Sequence, residues 1–261
     1  MPEGPEIRIM SDFVNQKSNH KNFISAHHVS KGNNPKLFDE KELHQPFKID
    51  SNFYGKKLIL NISNNLINIP IYIFMGMSGS WKWVETKDWD KTKFTRLRFD
   101  TDDGSSLIMF GGYMGPKYSM YNNFKNSKSG PDLILEFESF ESNILNSIHL
   151  KIFQKPIYEV LLDQNYFNGV GNYLRSTILY YGNINPFQSA KKTIEENPQF
   201  LKLCQSILEK SYQLNGGQLK DWLNPFQKDS SEFNKWVFYQ KGTSIKDSSN
   251  RTFWFDPKWK A

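Results

Sequence analysis

A chain of 261 residues has room for one large domain or two medium ones, and an apolar content of 38% is enough for a core, which excludes a disordered protein. A formal net charge of +6 and a pI near 9.1 point toward an anionic partner without naming it. The single cysteine, Cys204, excludes an internal disulfide and any multi-cysteine zinc site.

The chain opens Met1-Pro2-Glu3-Gly4-Pro5-Glu6, and a small second residue favours removal of the initiator methionine. Pro2 would then carry a secondary α-amine. Such amines titrate at about 7.7–8.0 against about 10.4 for lysine, so far more of the group is free amine at neutral pH, the form that attacks carbon. Glu3 sets a carboxyl group beside that amine for proton transfer. The competing reading is a loose start, with Pro5 merely opening a helix at its first position. Ile7, Ile9, Met10, Phe13 and Val14 recur near helical spacing and predict a packed helix from Pro5 that holds Pro2, Glu3 and Glu6 in place.

From Phe23 to Met114 the pattern is that of short strands: Phe23 to Ala26, Phe47 to Ile49, Lys57 to Ile62 and Ile67 to Phe74. Leu97 to Asp100 and Leu107 to Phe110 flank Asp103-Gly104, a hairpin signal. Several short antiparallel strands predict a sandwich or barrel. The longest apolar run, Leu66 to Met77, is broken by Asn68, Pro70 and Gly76 and falls short of the roughly 18 residues that span a bilayer. No basic segment followed by an apolar one opens the chain, so a soluble intracellular protein is expected.

Residues 122 to 131 are polar and end in Gly130-Pro131, the best linker candidate. Beyond them the period turns helical. Ile157, Val160 and Leu161, then Leu174, Ile178 and Leu179, flank an interruption at Tyr166 to Asn172. Another helix is predicted from Asn197 as N-cap, with Pro198 at the first position, to Gly216-Gly217. Cys204 lies in that pattern beside Leu203, Ile207 and Leu208 and reads as a buried core thiol. The last 25 residues return to strands at Trp236 to Tyr239 and Thr252 to Phe255, rimmed by lysines and Arg251.

With these segments in view, the chain resembles the formamidopyrimidine-DNA glycosylase and endonuclease VIII (Fpg/Nei) family over nearly its whole length. The resemblance rests on Pro2 to Glu6, Gly55-Lys56 before a strand, Met75-Gly76-Met77-Ser78-Gly79, Leu161-Leu162-Asp163-Gln164 and Gly169-Val170-Gly171-Asn172-Tyr173-Leu174-Arg175. Each is weak alone; five in order are specific. It implies an α+β protein in two domains. The first, residues 1–125, would be a catalytic β-sandwich with an N-terminal helix, followed by a linker over 126–140. The second, 141–261, would bind DNA through a helix–two-turn–helix at about 155–182 and a β-hairpin finger at about 235–258.

The family excises damaged bases and cleaves the resulting abasic site, so the implied partner is damaged DNA, no cofactor is expected, and one chain suffices as a monomer. By that resemblance Pro2 is the nucleophile that attacks the sugar C1′ and forms a Schiff base, leading to β,δ-elimination, and Glu3 is the proton carrier. Glu6 matches a second acidic position, although a glutamate favoured by the helix dipole explains it nearly as well. Lys56 matches a lysine that contacts a phosphate near the lesion, with Lys57 its competitor. Asn172 and the Gly169-Val170-Gly171 turn match a junction where a helix start and backbone amides hold a phosphate, or else form a purely structural turn. Lys155 matches a further basic position, and Arg251 matches the phosphate-binding arginine of the finger.

Two departures carry consequences. Most members fix the finger with four zinc ligands, and no cysteine lies in this region, so a zincless Nei-like finger is expected, held by Trp236, Phe238, Phe253, Trp254 and Trp259 through cross-strand aromatic packing. Members acting on duplexes fill the hole left by the flipped base with a methionine, an arginine and an aromatic residue. Met77 matches the first, with a core methionine as the alternative. The stretch expected to supply the others reads Phe110-Gly111-Gly112-Tyr113-Met114-Gly115, with no arginine. A preference for single-stranded or bubble DNA is therefore expected, unless Tyr113 or Met114 compensates. Two rivals remain: a catalytically inactive DNA-binding protein on the same scaffold, and an RNA binder that stacks bases on its 15% aromatic residues.

Overall fold

Helix α1 spans Gly4–Ser18, one residue ahead of the predicted start. Pro5 lies in its first turn, where a missing N–H breaks no helical bond, and Ile7, Ile9, Met10, Phe13 and Val14 are all buried. The computed structural model describes residues 1–28, 45–88, 95–111, 117–119, 129–217 and 222–260. These fall into two units: Met1–Pro2, Glu6–Ser127 and Asn215–Asp229 form one, and Glu3–Pro5, Lys128–Leu214 and Ser230–Ala261 the other.

Among the described residues the first unit contains most of α1 and eight strands: β1 (Phe23–His28), β2 (Lys48–Tyr54), β3 (Lys57–Ser63), β4 (Asn68–Phe74), β5 (Ser80–Glu85), β6 (Thr95–Thr101), β7 (Ser105–Phe110) and β8 (Lys117–Ser119). They make two antiparallel sheets, ordered β1-β6-β7-β5 and β2-β3-β4-β8. Leu58, Leu60, Ile62, Ile71 and Ile73 alternate onto the buried face of one sheet, and Leu97, Phe99, Leu107 and Met109 line the other. Phe23, Phe47 and Phe99 form a ring cluster with centroids 5.8 to 6.4 Å apart. The β6–β7 connection runs through Asp102-Asp103-Gly104, with Gly104 at φ 82°, a three-residue loop ending in a left-handed residue. Strand β5 has no counterpart among the predicted strands.

Residues 215–229 join this unit despite following a helix of the other. Trp222 is fully buried, Ser80 Oγ donates to the Leu223 carbonyl at 2.7 Å, and Phe226 meets Phe13 edge-on at 5.2 Å. This segment is thus partly core.

The second unit holds α2 (Phe137–Ser147), α3 (Ile157–Val160), α4 (Asn172–Tyr181), α5 (Ala190–Glu196), α6 (Phe200–Gln213), α7 (Ser231–Trp236), β9 (Thr243–Lys246) and β10 (Thr252–Phe255). Helix α6 starts after Gln199, not at Pro198, and stops before Asn215 and Gly216, both with φ above 60°. Cys204 is buried within it. Of the expected linker, residues 126–128 lie outside the described residues. Gly130 is already tied down, its N–H to the Gln164 carbonyl and its carbonyl to Asn168 Nδ2, both at 2.9 Å.

The terminal hairpin departs from expectation. Trp236 to Tyr239 is not a strand: Trp236 closes α7, where Phe233 is buried and the Lys241 ammonium donates to the carbonyls of Asn234, Lys235 and Val237. The hairpin pairs β9 with β10, opposing Phe253 to Ile245 and Phe255 to Thr243. Its aromatics therefore make no cross-strand aromatic pairs. They stack elsewhere within the unit: Phe253 on Tyr158 at 4.7 Å, and before the hairpin Phe238 on Tyr180 at 4.1 Å and Trp236 on Tyr181 at 5.9 Å. Among the described residues no helix is long and apolar enough to cross a membrane.

Candidate active site and nucleic-acid interface

The first turn of α4 receives a carboxylate. Glu3 is 3% exposed; its Oε1 accepts the Tyr173 N–H at 2.9 Å and its Oε2 the Leu174 N–H at 3.2 Å. These are first-turn amides that the helix itself cannot satisfy, and the positive end of its dipole faces the acid. Two glycines make the approach possible. A Cβ on Gly171 would come within 2.2 Å of Glu3 Cδ, and one on Gly4 within 3.3 Å of the Gly169 backbone, to which Gly4 N–H donates at 2.9 Å. The Tyr173 and Leu174 N–H groups thus serve Glu3, just beyond the Gly169-Val170-Gly171 turn and Asn172.

Pro2 is buried and precedes Glu3 directly, so one peptide link separates the ring nitrogen from the anchored acid. Glu6, fully buried in α1, accepts the Gly217 N–H through Oε1 at 2.8 Å. Its carboxylate thus serves another segment in addition to any favourable place in its own helix. Gly216, at φ 67°, lies so close that a Cβ would meet Glu6 Oε1 at 2.8 Å.

Gly55 and Lys56 form the two-residue turn between β2 and β3, with Gly55 at φ 56° as a tight hairpin turn requires at its first position. Lys56 sits in the turn and Lys57 opens β3 opposite Tyr54. Burial pulls the Lys57 ammonium below its ordinary range. Met75 is core, whereas Met77 is half-buried in the turn that follows the left-handed Gly76. Tyr113 and Met114 lie outside the described residues.

In the second unit, Asn172 Nδ2 donates to the Thr252 carbonyl at 2.9 Å and to Tyr239 Oη at 3.1 Å, fastening the start of α4 to the hairpin. Lys155 is exposed ahead of α3, and its carbonyl accepts the Ala190 N–H. Arg251 immediately precedes β10 with its side chain 48% exposed, and its Nε donates to Asp247 Oδ2 at 2.9 Å. The structure therefore gathers Asn172 and Arg251 around one hairpin.

Two residues with no assigned role complete this cluster. Arg175 of α4 is fully buried; its Nη1 donates to Asp247 Oδ2 at 3.0 Å and to the Tyr158 carbonyl at 3.2 Å, and its guanidinium lies 4.9 Å from the Phe253 ring. Burial works against the Arg175 charge, and Asp247 supports it. Burial also pushes Asp247 up, but hydrogen bonds from Arg251, Ser249 and Arg175 outweigh it and hold the carboxyl below the usual range. An arginine inside an apolar helical stripe and an aspartate in a polar loop, 72 residues apart, give no sequence signal of their pairing. Among the described residues no cluster of His, Cys, Asp and Glu is placed to hold a metal ion.

Residues 1–111 match the formamidopyrimidine-DNA glycosylase N-terminal domain. Endonuclease 8-like 1 of Homo sapiens is 30% identical over 297 residues, covering 98% of this chain and 72% of that protein. Endonuclease 8 of an Enterobacter species is 27% identical over 219 residues, 80% of this chain and 78% of that one. Among solved structures, the Lactococcus lactis Fpg in complex with DNA containing an abasic site superposes with a TM-score of 0.79 at 20% identity, covering 99% of both chains. MutM (Fpg) from Thermus thermophilus gives 0.77 at 16% identity, covering 99% of this chain and 98% of that one. At these identities the structural likeness speaks for the fold, and the sequence match to the human relative speaks for descent: the chain belongs to the formamidopyrimidine-DNA glycosylase and endonuclease VIII family.

Proposed function

We propose that this family member is a DNA-repair glycosylase that excises oxidised bases and, as a lyase, cleaves the resulting abasic site, with Pro2 as nucleophile and Glu3 as proton carrier. The observation that carries the reading is the seating of Glu3. A carboxylate clamped by two backbone N–H groups is fixed in position, and the residue before it is the proline whose ring nitrogen becomes the amine once Met1 is removed.

The free amine attacks C1′ of the damaged nucleotide and the N-glycosidic bond breaks, the departing base taking a proton from solvent water. The amine's proton passes to Glu3 and from Glu3 to the ring oxygen, which leaves C1′ as a hydroxyl and so leaves an iminium between Pro2 and the sugar. The iminium withdraws electrons and acidifies the C2′ hydrogen. Loss of that proton expels the 3′ phosphate, and a second elimination expels the 5′ phosphate. Lys56, Asn172, Lys155 and Arg251 supply phosphate contacts, and the overall positive charge steers the polyanion. Met77 fills the space of the flipped base.

Borohydride reduction tests the reading. Protein shown by mass to begin at Pro2, incubated with an abasic-site oligonucleotide, is expected to yield a covalent adduct that Pro2→Ala abolishes. No adduct, with binding intact, would leave a DNA-binding protein on a catalytic scaffold. The missing arginine after Phe110 supports faster excision from single strands and bubbles, because filling the hole offsets an unstacking cost of about a few kcal/mol that an unpaired base does not incur. Side-by-side rates on one lesion, single-stranded and duplex, decide this; a strong duplex preference would end it.

A further inference from the structure

Residues 230–261 contain neither cysteine nor histidine, and other groups hold the loop between β9 and β10 that carries Arg251. The carboxylate of Asp247, fully buried in the loop between β9 and β10, occupies the centre of that loop. Its Oδ1 accepts the N–H groups of Ser249 and Arg251, both at 2.9 Å. Its Oδ2 accepts Nη1 of Arg175 at 3.0 Å and Nε of Arg251 at 2.9 Å. The backbone closes around the same residue: Asp247 N–H donates to the Arg251 carbonyl at 3.0 Å, and Asn250, at φ 59°, donates to the Asp247 carbonyl at 2.9 Å.

One end of this arrangement is rigid. Arg175 projects from α4, two residues after the amide that anchors Glu3, and is sandwiched against Phe253, which stacks on Tyr158. The other end is open, because Arg251 commits Nε inward while half its side chain stays exposed. A guanidinium is a planar fork, so fixing Nε fixes the direction in which its outer nitrogens point. Water would otherwise leave such a side chain many rotamers to lose on binding.

We propose that Asp247 is a positioning residue for DNA binding: its carboxylate ties the finger loop to Arg175 of α4 and aims Arg251 at a DNA phosphate. The proposal rests on the reading of Arg251 as a phosphate contact. It places the organising function of the finger on one buried acid bridging two arginines.

The test is a cycle of Arg251→Ala, Asp247→Asn and the double variant, with affinity for an oligonucleotide bearing a tetrahydrofuran abasic-site analogue measured across a salt series. Arg251→Ala is expected to weaken binding by roughly tenfold and to lower the salt slope by about one. Asp247→Asn is expected to reproduce most of that loss, and the double variant to bind no worse than Arg251→Ala. A destabilised but uninvolved finger would instead give losses that multiply, and that result overturns the proposal. So does wild-type affinity in folded Asp247→Asn. Arg251→Lys, on an exposed side chain, covers the case in which the buried asparagine prevents folding. It keeps the charge without the fork, so binding should fall several-fold, and wild-type affinity would count against the bridge. Wild-type affinity in Arg251→Ala would remove the phosphate contact itself, whereas wild-type affinity confined to Asp247→Asn removes only the aspartate's role.

Discussion

Glu3 carries a catalytic role in the proposed reaction and a helix-capping role in the structure, and the two are separable by substitution. Glu3→Gln keeps the shape but replaces one acceptor oxygen with a donor facing an N–H, so stability should drop by about 1–2 kcal/mol in thermal or urea unfolding. Excision should fall much further. Gly171→Ala leaves every titratable group in place, yet its Cβ would come within 2.2 Å of Glu3 Cδ. Displacing the carboxylate is expected to cut adduct formation by at least about tenfold, a loss of ~1.4 kcal/mol of transition-state stabilisation. Unchanged trapping rates would show that the seat of Glu3 is irrelevant to chemistry. Cys204 gives a simpler case: burial raises its thiol far above the ordinary value, so it should resist thiol reagents in the folded protein and react on unfolding.

Among the elements, the hairpins differ in what holds them. The β6–β7 turn needs backbone geometry alone: nothing lies within 4 Å of a Cβ on Gly104, but φ is 82°, so Gly104→Ala should cost about 1 kcal/mol from strain and shift Tm by a few degrees. The terminal hairpin depends on charge. Asp247→Ala leaves the buried Arg175 charge without its carboxylate, and about 3–5 kcal/mol of stability should be lost. The acid limb of the stability curve reports on the same groups. The folded carboxyls of Asp100 and Asp247 lie below their unfolded values, and Asp103 is held at about 2 by hydrogen bonds from Lys21 and Thr101. A group depressed on folding contributes stability above its unfolded pKa of about 3.9 and loses it as pH falls through the folded value. Stability should therefore decline from about pH 4 downward, and less steeply in Asp247→Asn than in the parent.

For the molecule as a whole, the division into units does not follow the order of the chain. Residues 215–229 bring Trp222, Phe226 and the Gly217 N–H into the first unit from the far side of α6. A fragment ending at residue 128 lacks them, and it is expected to lose cooperative unfolding by circular dichroism. Trp222→Ala in the full chain should cost about 3–5 kcal/mol.

Local patterns were enough for α1, whose apolar stripe is dictated by helical period, for β3, β4 and the β6–β7 hairpin, and for the glycines of the helix junction. The order of the short motifs from Pro2 to Arg175 was enough for the family. What they left open was partnership. Nothing in the spacing of Asp247 and Arg175 says that they meet, nor that the amides of Tyr173 and Leu174 hold Glu3. Trp236 to Tyr239 reads as a strand by composition, and only burial of Phe233 and the lysine on its last carbonyls makes the preceding segment a helix. Periodicity reports which face of an element avoids water, a property of adjacent residues. Which buried charge meets which N–H depends on contacts between distant segments, and those exist only once the chain has folded.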